Sequence, residues 1–398
     1  MAPKREKLTI INRSFWPIYP VIGEALMRLA EQQANDYEVS VILQDHADIR
    51  SQLQKHARGE GVNFFPCKAF SNSGSGILRR IADAVFFMLW VFITLIRVRP
   101  KVVYISTDPP VLVPFIVMIY TKFSRAKYIY HLQDIHPEAA NVVIPLNPFV
   151  YRIMRWVDCL VMRQAALLLT ITDEMAEEIH KRSLTKTEIV ILPNPAVSFE
   201  DVVLPQTKTK GFTFCGNAGR LQHIPLLIQA IEKYHLEGGS LPFVFAGGGR
   251  FSTELKSLSE NSALVTYLGI ITAKEAAELS SEYEWALLPI KDEVTRFAFP
   301  SKSSSYVFSG ALVAAICGNE TSVAHWVNAN KLGLVVNPDV DSLCAFFMQA
   351  ENNLITKSEF SNDRSELKEK LEINSFVRQL EIQVHRVFGY EEPDSVNR

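Results

Sequence analysis

No two of the five cysteines (Cys67, Cys159, Cys215, Cys317, Cys344) have the spacing of a zinc site or a redox pair. Odd in number and far apart, they read as free thiols in a reducing compartment. A dominant charge sign is also missing. Forty-one Lys and Arg against 43 Asp and Glu leave a formal net charge of −2. That gives no global basic excess with which to displace counterions from nucleic acid, so no nucleic-acid partner is expected. Behind the basic start Met-Ala-Pro-Lys-Arg-Glu-Lys, only Leu8 to Ile11 follow as a mostly apolar run, too short for the core of a secretory signal. The expectation is a cytoplasmic location.

Long apolar runs are scarce. Ala84 to Ile96 (AVFFMLWVFITLI) is 13 residues with only Thr94 polar, whereas a membrane span needs about twenty. Two readings stand: a core helix of an α/β layer, or an in-plane helix whose basic flanks meet anionic lipid. Those flanks are Arg79 and Arg80 before it, and Arg97, Arg99 and Lys101 after it. A second run, Val111 to Tyr120, is followed by Lys122, Arg125 and Lys127 and tilts the balance toward a membrane surface. Residues 79–101 are therefore the expected contact of a protein peripheral on the inner face of the plasma membrane, with Phe87 and Trp90 as inserting side chains.

What is present is an ordinary globular composition, 48% hydrophobic and 21% charged, in 398 residues. That length calls for two domains. Apolar, β-branched runs (Leu8–Asn12, Val39–Leu43, Phe64–Phe65, Val102–Ser106, Tyr128–Leu132, Leu167–Thr172, Glu188–Leu192) read as strands. Helix-length segments separate several of them, among them one that starts at Thr172-Asp173-Glu174, where side-chain oxygens can cap it. Buried runs alternating with helices mean a parallel, doubly wound sheet. Ser198 to Lys210 is polar and weakly periodic, as a linker is. Strand–helix alternation then restarts with Phe212–Cys215, Phe243–Ala246, Leu264–Leu268, Trp285–Pro289, Leu312–Ile316 and Leu334–Val336. The fold class is α/β: two Rossmann-like, doubly wound domains, 1–200 and 201–398, with a central cleft. The last helix, within Ser361 to Phe388, either stays with the second domain or packs back on the first, and Glu391 onward should fray.

In open α/β sheets ligands bind beyond the carboxyl ends of strands. Gly23, in the segment after the first strand, is either a phosphate-approach residue at a helix start or a plain turn. Gly216-Asn217-Ala218-Gly219-Arg220-Leu221-Gln222-His223 leads into a helix and makes a diphosphate cradle, although turns also collect Gly and Asn. Gly247-Gly248-Gly249-Arg250 is either a close approach of backbone to something or a flexible turn. Pro300-Ser301-Lys302-Ser303-Ser304-Ser305-Tyr306 puts a lysine and hydroxyls at a helix start, suited to anionic oxygens or to simple capping. Gln133-Asp134-Ile135-His136-Pro137-Glu138 puts a carboxylate and an imidazole at one strand end, where a general base or charge stabiliser sits; Asp134 as a cap is the alternative. Asp339-Val340-Asp341 reads as a helix cap rather than a metal motif.

In order along the chain these motifs resemble the retaining glycosyltransferases of family 4, in particular the polysaccharide-assembly branch with the L-fucosamine transferases of O-antigen synthesis. That branch has Ser/Thr-x-Pro-Pro, an Arg-Asp-Leu-Trp-Pro-Glu-like segment, Gly-Asn-x-Gly-x-x-Gln-Gly, Pro-Ser-Lys-x-x-acid-Tyr-x-x-x-Gly and a late Gly-Leu-Val-Val-x-Pro. Here they are Thr107-Asp108-Pro109-Pro110, Gln133 to Glu138, Gly216 to Gln222, Pro300 to Gly310 and Gly333 to Pro338.

The resemblance implies a GT-B fold and retention of anomeric configuration. The donor would be a nucleotide-sugar, UDP-linked, with no metal or other cofactor; the acceptor would be a lipid-diphosphate-linked saccharide in surface polysaccharide synthesis. Gly247, Gly248 and Gly269 would line base and ribose. Asn217, Arg220, Lys302 and the Gly23 loop would hold the diphosphate, alongside Gly216, Gln222, Arg250, Ser304, Ser305 and Tyr306. Asp134 and His136 would act on the acceptor side. Two glutamates eight apart in many members are Phe297 and Ser305 here, and His223 replaces a glycine. The rivals are a GT-B sugar-nucleotide epimerase, a degenerate partner subunit of a transferase complex, and a two-lobed periplasmic sugar receptor; an absent signal peptide disfavours the receptor.

Overall fold

The computed structural model describes residues 5–71, 76–361 and 363–390. The expected fraying from Glu391 and the start of the basic N-terminus lie outside the described residues. The chain forms two compact units, Met1–Asn194 with Ile373–Arg398, and Pro195–Glu372. The division therefore falls at Asn194/Pro195, ahead of the polar stretch. The helix Ile373–Phe388 belongs to the first unit, where it packs on the helix Pro20–Gln33.

The first unit is a seven-stranded, wholly parallel sheet. Its strands are β1 (Lys7–Ile11), β2 (Glu38–Asp45), β3 (Asn63–Lys68), β4 (Val102–Ser106), β5 (Lys127–Leu132), β6 (Leu167–Thr170) and β7 (Ile189–Ile191). The order is β3-β2-β1-β4-β5-β6-β7. Strands such as Val102–Ser106 are buried at every position, which is why they read as unbroken apolar runs rather than alternating ones. Helices Pro20–Gln33, Ile49–His56, Ile77–Val98, Leu112–Ser124, Pro148–Gln164 and Asp173–Ser183 join successive strands, with a short helix Glu138–Val143 after β5. Thr172 caps Asp173–Ser183 by accepting from the Met175 amide, as its position predicts.

The apolar run at Ala84 belongs to a helix of 22 residues, Ile77–Val98. Among the described residues it is long and apolar enough, by length and composition, to cross a membrane. One face of it is core. Phe87, expected to meet lipid, is fully buried, and half-buried Trp90 donates its indole N–H to the Phe65 carbonyl at 3.3 Å. A run of apolar letters does not say which face is outward.

The second unit is a six-stranded parallel sheet of β8 (Thr209–Cys215), β9 (Phe243–Ala246), β10 (Val265–Tyr267), β11 (Tyr283–Pro289), β12 (Leu312–Ile316) and β13 (Gly333–Val336), in the order β10-β9-β8-β11-β12-β13. Helices Ile224–Leu236, Ser252–Asn261, Ala273–Glu282, Lys302–Ser309, Ser322–Ala329, Val340–Glu351 and Ser365–Leu371 complete it. Aromatic packing dominates its core: Phe212 stacks on Phe243 with centroids 4.7 Å apart, and Trp285 meets Phe346 edge-on at 4.9 Å.

Each sheet reverses strand order once, at β1/β4 in the first unit and β8/β11 in the second. These are the topological switch points, where open α/β sheets bind ligands.

Candidate functional site

At the first switch point the register pairs Ile11 with Ile105, so the loops after β1 and β4 begin side by side. The Ser106 hydroxyl donates to the Asn12 side-chain oxygen across that gap. Next along, Asp108 accepts from the Ser14 amide at 2.8 Å and from Arg13 Nε at 3.1 Å. One strand further, the Thr107 hydroxyl accepts from the amides of Gln133 (3.2 Å) and Asp134 (3.3 Å). Thr107 and Asp108 thus join three strand ends, and Asp108 and Arg13, neither of them among the expected site residues, belong to this cluster. The available signal was an arginine directly after β1 and an acid inside the Thr107–Pro110 motif.

Asp134 keeps partial access to solvent while protein surrounds it closely. Burial, and then the neighbouring Asp108 carboxylate, pushes its pKa up to about 6. The helix Glu138–Val143 that follows has no side-chain cap, so Asp134 is not serving as one there. His136 is lowered to about 4, by burial first and then by Arg182, so it is neutral near pH 7. Its Nδ1 is buried and without a partner among the described residues.

The shape of this loop is held from beneath. Arg182, fully buried on the helix Asp173–Ser183, donates to the His136 carbonyl at 3.0 Å and pairs with both Glu138 and Asp158. Tyr130 adds a hydrogen bond of 2.8 Å to Asp158. A buried cation is tolerable because two carboxylates face it. No local pattern marks this set, since its members come from four different elements.

At the second switch point, β8 runs into Gly216 and β9 into Gly247. The Gly216 amide donates to Ala246 O at 2.9 Å, and the Ala218 amide to Gly248 O at 2.8 Å. A side chain at Gly247 would collide with the Gly216 backbone, and one at Gly249 would come within 2.6 Å of Ala218 and of Asn217 Oδ1. What the glycine run approaches is therefore the Gly216–Gly219 turn itself. The Gly247 amide also donates to Gly269 O at 2.6 Å, tying the β10 end to the same cluster. Around Gly219 the Asn217 amide group and Gln222 Oε1 converge, each 2.8 Å from where a Cβ would stand, and Gln222 Oε1 is buried without a partner among the described residues.

Lys302 completes the cluster. Its side chain lies against Gly216, with Nζ 3.6 Å from a notional Cβ there and 3.6 Å above the centre of the Phe214 ring. Nζ is buried with no hydrogen-bond partner among the described residues, and burial lowers its pKa to about 7. A desolvated ammonium with only an aromatic face for company is set to receive an anion. The helix Lys302–Ser309 has no side-chain cap, so the simple capping reading of this loop does not hold.

The other predicted positions divide. Arg220 and Arg250 are exposed on the two loops, and Ser304 and Ser305 occupy the first turn behind Lys302. Tyr306 is fully buried: its hydroxyl donates to Leu287 O at 3.2 Å and accepts from the Cys215 amide at 3.3 Å. It ties β8 to β11 instead of presenting itself at the surface of the site. Gly23 lies in the first unit within Pro20–Gln33, and a Cβ on it would come 2.6 Å from the Trp16 amide nitrogen. Close packing of the loop after β1 explains that glycine without any ligand.

A groove of about 400 Å³ between Ile224–Leu236 and Ser252–Asn261, floored by Ile228, Phe251 and Leu258, contains none of the predicted residues. Asp339 caps Val340–Glu351 by accepting from the Ser342 amide at 2.8 Å, and Asp341 pairs with Lys233 at 2.6 Å. Asp339→Ala should cost about 1 kcal/mol of stability, the usual value of an N-cap, without changing ligand binding. Chemical denaturation checks it, and an unchanged midpoint would show the cap to be dispensable.

Two parallel-sheet α/β units, each with polar groups gathered at its switch point, define the GT-B fold. Residues 22–195 match the glycosyl transferase 4-like domain. A curated relative, the probable glycosyltransferase WbjE of Pseudomonas aeruginosa, is 21% identical over 302 residues, covering 70% of this chain and 75% of its own. Among solved structures, Anabaena Alr3699/HepE in complex with UDP superposes with a TM-score of 0.65 at 13% identity, over 96% of this chain and all of that one. WaaG, a glycosyltransferase involved in lipopolysaccharide biosynthesis, gives 0.66 at 13%, over the same shares. The domain match and the relative both support a glycosyltransferase, and the solved structures share its fold.

Proposed function

We propose that this transferase takes a sugar from a UDP-linked donor and adds it, with retention, to a lipid-diphosphate-linked saccharide at the cytoplasmic face of the plasma membrane, in surface polysaccharide synthesis. The observation that carries the donor half is Lys302, whose buried ammonium has no hydrogen-bond partner among the described residues and lies at the switch point of the second sheet. Charge builds on the departing diphosphate during transfer, and donors already aimed at it stabilise the transition state most. Asn217, Gln222 and Arg220 on the neighbouring turn supply further donors, and no metal enters the scheme. The HepE structures contain UDP and UDP-glucose, which supports the same nucleotide here. On the acceptor side Asp134 is the base or charge stabiliser. His136, neutral near pH 7, orients the acceptor hydroxyl.

Sugar-nucleotide epimerases share this fold, so the deciding experiment separates transfer from rearrangement. Purified protein is incubated with UDP-sugars, with and without a lipid-diphosphate saccharide. The expected result is UDP release that requires acceptor, with an elongated lipid product. An altered sugar appearing without acceptor would make it an epimerase. No turnover of any kind would favour a degenerate partner subunit, for which Phe297 and Ser305 in place of acids already argue.

A further inference from the structure

Helix Pro148–Gln164 presents Phe149, Val150, Ile153 and Trp156 to solvent, with Trp156 63% exposed. Ile153 and Trp156 lie four and seven residues from Phe149, and Ile153 three from Val150, spacings that share one helical face. A single exposed apolar residue needs no explanation, but a contiguous face does. Helix Ile77–Val98 repeats the pattern along its whole length: Leu78, Ile81, Val85, Leu89, Ile93 and Ile96 are all exposed. Helix Leu112–Ser124 packs against both and ends in Phe123, 87% exposed beside Lys122.

These three helices join β3 to β4, β4 to β5 and β5 to β6, all stepping the same way across the sheet. Right-handed crossovers then lay them on one side of it, as neighbours. Their charges are one-sided as well. The only acids on them are Asp83 and Asp158, both buried, while Arg79, Arg80, Arg97, Lys122, Arg152 and Arg155 are exposed. The helix Asp173–Ser183, which steps the same way from β6 to β7, carries Asp173, Glu174, Glu177 and Glu178, so the basic stretch is that of the three helices and ends there.

We infer that the three helices form one face that docks in the plane of an anionic lipid bilayer, with the Pro148–Gln164 helix as a second insertion element beside Ile77–Val98. Insertion in the plane follows from what the other side of Ile77–Val98 does. Phe87, Val91 and Leu95 are core, and Asp83 accepts from Gln44 Nε2 at 2.8 Å, the Ser71 hydroxyl at 2.6 Å and the Phe70 amide at 3.1 Å. Crossing the membrane would strip all of these from the sheet. Lying in it buries the outward stripe and brings the arginines to the headgroups. Docking rests on the reading of a membrane-presented acceptor but is tested apart from it.

The test is flotation of the full chain with vesicles of phosphatidylcholine alone or mixed with phosphatidylglycerol, at low and high salt. Binding to the anionic vesicles at low salt is expected, weakening about fivefold for each of Arg79→Gln, Arg80→Gln and Arg152→Gln. Ile153→Glu with Trp156→Glu, and separately Leu89→Glu with Ile93→Glu, should each cut binding tenfold or more while thermal unfolding stays cooperative. Trp156 fluorescence should be quenched by brominated lipid. Wild-type protein staying at the bottom, or a dimer forming through this face in place of vesicle binding, would overturn the inference. Loss of binding in the Leu89/Ile93 variant alone would overturn the joint face. Turnover on a water-soluble acceptor analogue keeps the two readings separate. Docking without turnover removes the transferase reading, and turnover without docking removes this one.

Discussion

Asp134→Asn slows sugar transfer by about a hundredfold or more, the scale of a positioned acid or base, and leaves UDP affinity nearly unchanged. The substitution keeps shape and removes charge. UDP affinity is spared because the groups proposed for the nucleotide belong to the other unit. The expected pH behaviour follows from the cause of the shift. Burial and the Asp108 carboxylate both disfavour the ionised form, which holds Asp134 at about 6. The carboxylate is the active form, so transfer falls as pH drops through about 6 and is full above it. Asp108→Asn removes one of the two causes while its amide oxygen still accepts from the Ser14 amide. It should therefore move the acid limb to lower pH, with kcat on the plateau reduced little. A structural role for Asp134 would leave the limb where it is in Asp108→Asn and would lower activity evenly across pH. Full turnover by Asp134→Asn at pH 7 to 8 would remove Asp134 from the chemistry.

Most strands among the described residues are visible in the amino-acid order because a parallel sheet covered on both faces needs unbroken apolar, β-branched runs, whereas the part-exposed edge strand Asn63–Lys68, with Pro66 inside it, showed only Phe64–Phe65. Leu312–Ile316 and Phe243–Ala246 are such runs, bounded by turn residues, and their limits are the observed ones. Helix faces were harder to read. In Ile77–Val98 inward and outward positions are apolar alike, so no periodic contrast told Phe87 from Leu89. The flanking Arg79, Arg80 and Arg97 are exposed, as arginine usually is. In the two clusters, residues directly after strands were legible from topology alone, which is why Asn217 and Asp134 stand just past β8 and β5; Lys302, well past the end of β11, was legible only as a lysine at a helix start. Arg182 was not, because a buried cation looks in sequence like one more solvated helix residue until its two carboxylates are seen. At Gly247 and Gly249 the structure shows a close approach, one of the two readings left open, but a one-dimensional reading cannot say whether the thing approached is a ligand or another loop.

Lys302→Met weakens UDP binding by roughly ten- to hundredfold, the loss of one charge-assisted contact of about 1.5–3 kcal/mol, and at the same time raises the stability of the unliganded protein. The second half distinguishes a binding role from a structural one. Burial lowers the Lys302 pKa from 10.5 to about 7, so the folded state disfavours the ammonium that the unfolded chain carries freely. For a base with a depressed folded pKa that penalty is complete below about pH 7 and fades as pH rises toward the unfolded value. Replacing the lysine by a neutral chain of similar length therefore stabilises most at pH 6 to 7, and the gain shrinks by pH 10. In wild type the diphosphate supplies the missing anion and restores the charged form, so UDP binding near pH 8 takes up a proton. Affinity should fall as pH climbs above about 7, and calorimetry in buffers of different ionisation enthalpy should register the uptake. In Lys302→Met that proton disappears. If the variant binds UDP as wild type does, or if its unliganded form melts lower, Lys302 is part of the packing around Phe214 and the donor site lies elsewhere. A lysine kept unpaired in a buried place against its own stability is the mark of a site held ready for an anion.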